Sequence, residues 1–252
     1  MPKRPRLSTE QITPVALLMR AAGHQPRASD CCNRTLRMTR AEAHVWARAV
    51  LRPGASYLEW GTGGSTEAAA WYAVHGDREF RAEAVESSRE WLDELRWSSS
   101  AIRTAERRGR LRLRVANIGP VRDWGVPISW ESRTRGAQTA AARAYLGLAL
   151  PRAAQGPDDV DKERLDAVLV DGRFRAACAL SVLPRLRENG TVLVHDFFLP
   201  SGSRARVRRT GYAVVLKWFH VWRMRAGTLA IMRPRPQYWA AAAFREQYSV
   251  AL

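Results

Sequence analysis

Apolar and polar positions along the chain recur with two periods, and together they predict alternating helices and strands. Thr39-Arg40-Ala41-Glu42 is a capping box, and Ala43, Trp46, Ala47, Val50 and Leu51 then share one helical face until Pro53-Gly54. Tyr57-Leu58-Glu59-Trp60 leads into Gly61-Thr62-Gly63-Gly64-Ser65-Thr66, which predicts a strand, a tight turn and a helix over 66–74, with Ser65 or Thr66 as its cap. Residues 80–86 read as a second strand ending in Glu86. Ser87-Ser88-Arg89-Glu90 follows as a second capping box, with Trp91, Leu92 and Leu95 on the buried face. Leu111-Arg112-Leu113-Arg114-Val115 alternates strictly, so it is a strand with one exposed face. Arg110, Arg112 and Arg114 there would discourage edge-to-edge pairing.

The second half continues the alternation. Residues 120–132, rich in Trp, Pro and Gly, predict a loop able to cover a pocket, with Trp124 and Trp130 expected in the core. An alanine-rich helix is expected over 137–150, before breaks at Pro151 and Gln155-Gly156-Pro157. Ala167-Val168-Leu169-Val170-Asp171 is a continuous apolar run ending in an acid, as a buried parallel strand should be. A helix over 176–186, closed by Asn189-Gly190, separates it from the next such run, Thr191-Val192-Leu193-Val194-His195-Asp196. A basic helix is expected over 203–209. Residues 218–222 and 228–232 then flank Ala226-Gly227, a hairpin signal. The fold class is α/β: a doubly wound, mostly parallel sheet closed by an antiparallel hairpin.

The chemistry starts at the glycine turn. Glycine takes positive φ cheaply and lets a ligand approach the backbone. A dinucleotide site needs Gly-x-Gly-x-x-Gly with pyrophosphate on the helix N-terminus. Here Glu59 precedes Gly61, Gly63 and Gly64, and a carboxylate at that strand end repels pyrophosphate but attracts an ammonium or sulfonium. Glu59 and its glycines resemble the first motif of class I S-adenosylmethionine (SAM)-dependent methyltransferases, acid-x-Gly-x-Gly-x-Gly. The departure is Ser65 at the last position, with Gly64 before it. The resemblance runs from about Ser56 to Arg233 and includes the closing hairpin. It implies a seven-stranded sheet, SAM as cofactor, and methyl transfer to an oxygen or nitrogen nucleophile. Asp171-Gly172-Arg173-Phe174 and His195-Asp196-Phe197 also look like an uncharacterised methyltransferase-like group.

By that resemblance the cofactor-binding residues are Glu59, Gly61, Gly63, Gly64, Ser65, Glu86, Asn117 and Ile118. Glu86 sits where the family places an acid on both ribose hydroxyls. The alternative is an acid interacting with a helix dipole, worth under about 1 kcal/mol. Asn117 stands where an acid is more usual beside the adenine. Parallel strands put their C-terminal ends on one edge, so Glu59, Glu86, Asp171, His195 and Asp196 converge on one rim. Asp171, His195 and Asp196 are the catalytic candidates, with Asp171 or His195 as base; an imidazole has the better unperturbed pKa. In a regular strand His195 and Asp196 would point to opposite faces, and Asp196 is the one expected in the pocket. Metal-dependent O-methyltransferases of the family carry acids at these two strand ends followed by Asn. Phe197 replaces that Asn, so the pattern leaves room for a divalent cation on Asp171 and Asp196 without requiring one. The alternative for Asp196 is a loop-organising carboxylate paired with Arg173. The Asn/Asp-Pro-Pro-aromatic signature of base-methylating enzymes is absent.

Composition sets the bounds. The 252 residues suit one sizeable α/β core, and 46% hydrophobic residues with ten tryptophans exclude a disordered chain. The expected organisation is a basic N-terminal extension over 1–38, a SAM-binding domain over 39–233, and a tail over 234–252 that docks as a helix through Tyr238, Trp239 and Phe244. A formal charge of +17 favours a small-molecule or anionic substrate. It also keeps open a second class, a nucleic-acid-binding protein or RNA methyltransferase on the same fold. A pyrophosphate-cofactor oxidoreductase is disfavoured by Glu59 and the hairpin. The three cysteines, Cys31, Cys32 and Cys178, form neither a disulfide framework nor a zinc spacing. No apolar run is long enough to span a bilayer, the longest near the N-terminus being residues 15–19. The expectation is a soluble intracellular protein, cytoplasmic by preference, with the basic start leaving nuclear or organelle targeting open.

Overall fold

The computed structural model describes residues 36–128, 130–148, 164–199 and 210–236. The expected basic N-terminal extension, the helix over 203–209 and nearly all of the C-terminal tail therefore lie outside the described residues. Helix α1 (Arg40–Val50) starts from a complete capping box: Thr39 accepts from the Glu42 N–H, and the Glu42 carboxylate accepts from the Thr39 N–H. Its buried face is Ala43, Trp46, Ala47 and Val50. Strand β1 (Ser56–Trp60) passes through the glycine turn into α2 (Gly64–Trp71), and β2 (Arg81–Glu86) leads to α3 (Arg89–Ser98) and α4 (Ser100–Arg107). The α3 cap falls one residue later than the sequence predicts. Ser88 caps by accepting from the Trp91 N–H, so Glu90 sits too early to close a box and accepts from the Ser88 hydroxyl instead.

Strand β3 (Leu111–Val115) is followed by a two-stranded hairpin, β4 (Val121–Arg122) and β5 (Val126–Pro127), then α5 (Arg135–Gly147). Strand β6 (Leu165–Val170), α6 (Arg175–Ser181) and β7 (Leu186–Val194) follow. Here the expected helix over 176–186 is cut short, because Pro184 cannot continue it and starts a 3₁₀ turn (Leu183–Arg185). Asn189-Gly190 does not close a helix. It lies inside β7, where the register to β6 shifts from Leu165↔Leu186 to Ala167↔Thr191. A Cβ on Gly190 would fall 2.8 Å from the Arg187 carbonyl and 3.0 Å from that of Leu165, so only glycine fits this bulge. Strands β8 (Phe219–Ala226) and β9 (Leu229–Pro234) form the closing hairpin.

The main sheet has seven strands in the order β3-β2-β1-β6-β7-β9-β8. Strands β3, β2, β1, β6 and β7 are parallel; β9 runs antiparallel to β7 and β8 antiparallel to β9. This is the expected doubly wound sheet with a C-terminal antiparallel hairpin, and β3 lies at the expected edge. Alternate residues of the central strands fill two cores. Leu58, Trp60, Val168, Val170, Val192 and Val194 pack towards α5 and α6, and Tyr57, Leu169 and Leu193 towards α1 and α2. The strand order reverses between β1 and β6, which is where open α/β sheets bind ligands. Among the described residues no helix is long and apolar enough to cross a membrane.

Candidate active site

The glycine turn closes tightly against the end of β6. Gly61 has φ +90°, and a Cβ there would lie 2.8 Å from the Gly172 nitrogen and 2.9 Å from the Asp171 carbonyl carbon. Gly172 has no more room, lying against the Tyr145 hydroxyl and Trp60. Gly63 differs: a Cβ there would meet nothing within 4 Å, so the turn has one packed side and one open side. The first helical turn does not use Ser65 or Thr66 as its leading cap. Gly63 takes the cap position, and its N–H donates to Thr66 Oγ1 (2.9 Å) from within the helix.

Glu59 lies on the packed side. It is fully buried, accepts from the Tyr57 hydroxyl (2.6 Å) and takes a second, short hydrogen bond from Thr66. Burial pushes its carboxyl up to about 7, against the opposing pull of the Thr66, Tyr57 and Ser65 hydrogen bonds. Thus Glu59 sits beneath the turn and holds Thr66 in place, with none of its surface on the rim.

Glu86 is the acid nearest the open side. Its Oε2 accepts from the Thr62 N–H (3.0 Å) and hydroxyl (2.9 Å), and its Oε1 from the Ser87 N–H (2.6 Å), the Ser87 hydroxyl (3.1 Å) and the Ser88 N–H (3.0 Å). The β4–β5 hairpin overhangs it. A Cβ on Gly125 would fall 2.6 Å from Ser87 Oγ and 3.8 Å from Glu86 Oε1. Trp124, at the tip, is 73% exposed rather than in the core, because a positive φ (65°) turns it outward. Trp130 is half-buried against Phe174, 5.3 Å between ring centres. Asn117 is exposed, its side-chain oxygen accepting from the Gly119 N–H (3.0 Å) as in an Asx turn, and Ile118 is buried.

The ends of β6 and β7 carry the densest charge cluster. The chain leaves β7 after Val194 and bends, with Asp196 at φ 54°, so the residues that a regular strand would separate are brought together. Potential ligand atoms of Asp171, His195 and Asp196 lie within 4.8 Å of one another. His195 Nδ1 is 3.0 Å from Asp171 Oδ1, and its Nε2 is 3.9 Å from Glu42 Oε2. Arg175, the first residue of α6, spans both strand ends: Nη2 is 3.2 Å from Asp171 Oδ1 and Nη1 is 3.5 Å from Asp196 Oδ2. The loop-organising alternative sets Asp196 against Arg173; the ion pair formed is with Arg175, which the α6 start aims back over Asp171. Burial pushes His195 down, but the hydrogen bond to Asp171 and the nearby carboxylates of Glu42 and Asp196 outweigh it and raise the imidazole to about 10. Burial likewise pushes the Glu42 carboxyl up, yet bonds from His195, Thr39 and Thr228 hold it well below the usual range.

Glu42 and Arg175 are the site residues that sequence reasoning missed. Glu42 was visible only as half of a capping box. Its Oε1 also accepts from the Thr228 N–H (2.7 Å) and hydroxyl (2.9 Å) and the Leu229 N–H (3.2 Å), which ties α1 to the hairpin beside His195. Arg175 carries a weak signal, the four-residue spacing from Asp171 across a strand-to-helix turn. The three described non-glycine residues with positive φ, Trp124, Phe174 and Asp196, all lie in loops at this C-terminal edge. Such conformations cost on the order of 1–3 kcal/mol each and cluster where function needs them.

No family model matches the chain, and no curated protein does. Solved structures do. A methyltransferase-like protein from Silicibacter pomeroyi DSS-3 superposes with a TM-score of 0.53 at 25% identity, over 82% of this chain and 94% of that one. A TehB-like SAM-dependent methyltransferase from Corynebacterium glutamicum is more distant, with a TM-score of 0.41 and 11% identity over 87% of this chain and 94% of its own. Human methyltransferase-like protein 13, solved with S-adenosylhomocysteine (SAH), has a TM-score of 0.43 and 14% identity over 88% and 91%.

Proposed function

Starting from a chain with the class I methyltransferase fold, we propose that it is a SAM-dependent methyltransferase acting on an oxygen or nitrogen nucleophile of an anionic or small-molecule substrate. One observation supports this above the others. The open side of the glycine turn, the Glu86 carboxylate and the Asp171–His195–Asp196 cluster share one edge, at the point where the strand order reverses.

The residues present fit the cofactor. Gly61 to Gly64 leave a turn open on one side, and Glu86 ends the neighbouring strand as an acceptor for ribose hydroxyls. Those hydroxyls would displace the Thr62 and Ser87 hydroxyls on Glu86, the two partners able to rotate away without moving backbone. Asn117, exposed after β3, would meet the adenine, with Ile118 buried behind it. Ser65 and Glu59 act from beneath, Glu59 by fixing Thr66 and so the shape of the turn. When bound, SAM supplies an electrophilic methyl group on a sulfonium.

The protein's own task is to orient the acceptor and take its proton. With SAM bound, the acceptor would take up the methyl group, the sulfur would leave as a neutral thioether, and the acceptor proton would pass to a carboxylate of this rim. His195 stays protonated until about pH 10, so at neutral pH it donates to Asp171 instead of serving as base. Asp196 is the most exposed of the cluster at 35% of its side chain, against 28% for Asp171 and 11% for His195. We therefore assign the proton to Asp196, with Asp171 orienting the acceptor. A structure with bound SAH tests this. Both carboxylates should lie within about 8 Å of the methyl position, the reach of a proton relay through one water; if both lie further away, the acid–base assignment fails.

A further inference from the structure

Asp171 directly follows β6 and Asp196 follows β7, with His195 beside it, and their potential ligand atoms lie within 4.8 Å of one another, close enough to chelate a divalent cation. We propose that this rim is built to work without a metal, and that the Arg175 guanidinium occupies the place and the bridging role of the cation. The proposal rests on geometry and does not require the methyl-transfer reading to hold.

Arg175 is fixed there through all three of its nitrogens. Nε donates to the Gly172 carbonyl (3.2 Å). Nη1 donates to the His195 carbonyl in a short bond and faces Asp196 Oδ2 at 3.5 Å. Nη2 meets both the Asp171 carbonyl (3.4 Å) and Asp171 Oδ1 (3.2 Å). Its side chain is 11% exposed. Three nitrogens of one rigid fork, with two carboxylates beside them, thus join the ends of both strands to the start of α6, as a bound ion would.

The same contacts exclude an ion. Asp171 Oδ1 already lies 3.2 Å from Arg175 Nη2 and 3.0 Å from His195 Nδ1. A metal needs neutral imidazole nitrogen and free carboxylate oxygen at about 2.0–2.6 Å. Arginine cannot yield by losing a proton. A divalent cation among these ligands would therefore sit against a permanent positive charge. Phe197, next along the chain, is fully buried in the core and offers no oxygen.

The test is calorimetric titration of the whole protein with Mg²⁺ and Mn²⁺, with Mn²⁺ binding checked by electron paramagnetic resonance. The wild type should show no saturable site up to about 1 mM, a weak-binding threshold. Arg175→Met keeps the buried stem and removes the charge, and it should gain a Mn²⁺ site at least about tenfold tighter, which Asp171→Asn added to it removes. A folded Arg175→Met that gains no site overturns the idea that arginine stands in for the ion. Should that variant not fold, the wild type decides. Stoichiometric Mn²⁺ binding at tens of micromolar, lost in Asp196→Asn, overturns the proposal, and its absence upholds it. SAM titration of the same samples reports separately on the methyltransferase reading.

Discussion

Removing the Glu42 carboxylate should destabilise the protein far more than the loss of a helix cap. An ordinary cap is worth about 1 kcal/mol. Glu42 is 2% exposed and accepts four hydrogen bonds, from the Thr39 N–H, the Thr228 N–H and hydroxyl, and the Leu229 N–H. It also faces the His195 imidazolium at 3.9 Å. Hydrogen bonds to a charged acceptor contribute about 1.5–3 kcal/mol each and do not add, and removing one partner of a buried pair costs about 3–5 kcal/mol. We expect Glu42→Ala to lose about 3–5 kcal/mol, a fall in Tm on the order of 10 °C for a chain of this size. Glu42→Gln keeps an acceptor for the hairpin and should lose about half as much. The sign of the pH dependence follows from the lowered carboxyl. Its contribution is present above the ordinary value of 4.5 and fades as pH falls through the folded-state value, so wild type and Glu42→Gln should converge in acid. Gly227→Ala is the companion variant. Its Cβ would fall 2.6 Å from Glu42 Oε1 at φ +57°, so it should be costly alone and less so in the Glu42→Ala background, where only the backbone strain remains. Urea denaturation measures all of these. A loss under about 1 kcal/mol for Glu42→Ala would show that the carboxylate caps α1 and does nothing else.

Glu86→Ala should weaken SAH binding by about 1–3 kcal/mol, since two ribose hydrogen bonds are lost and Thr62 is released; calorimetry at one temperature suffices, and unchanged affinity removes Glu86 from the site. Glu59, with its carboxyl raised to about 7, makes the fold most stable below its unfolded value of 4.5, and that contribution is lost between there and about 7. Glu59→Gln should flatten this slope in thermal melts taken from pH 4.5 to 8; a slope identical to the wild type would mean that Glu59 is ionised throughout. His195, raised to about 10, contributes stability fully present below 6.5 and lost as pH climbs through 10, so wild type should weaken over that window while His195→Asn does not.

Much of the sheet was legible because its signals are local. The Thr39–Glu42 capping box, the Leu111 to Val115 strand and the Ala226-Gly227 turn are each specified within a few residues, and each forms, although Arg114 folds onto Glu83 and only Arg112 of that strand stands exposed. Where local signals compete, the reading slipped. Asn189-Gly190 reads as a helix stop but serves a bulge in β7, because pairing with β6 decides what the glycine is for. Trp124 is apolar by composition, yet a positive φ at the hairpin tip turns it to solvent. The shared edge of Glu86, Asp171, His195 and Asp196 was predictable, since parallel strands end together, whereas Glu59 lies buried beneath it and not on the rim. The internal wiring of that rim was not predictable. The bond from Glu42 to Thr228 spans 186 positions, and the choice of Arg175 over Arg173 depends on how α6 leaves its turn. The shared strand edge put Asp171 and Asp196 beside His195, but nothing near it in sequence announces Glu42, and the summed effect of these acids made its unperturbed pKa a poor guide to its charge.

The central claim is that this edge binds SAM. Calorimetric titration of the full chain with SAM, SAH and NAD tests it most directly. One site each for SAM and SAH, with no heat from NAD, is the expected result. Failure to bind SAM or SAH, or saturable binding of NAD, would contradict it.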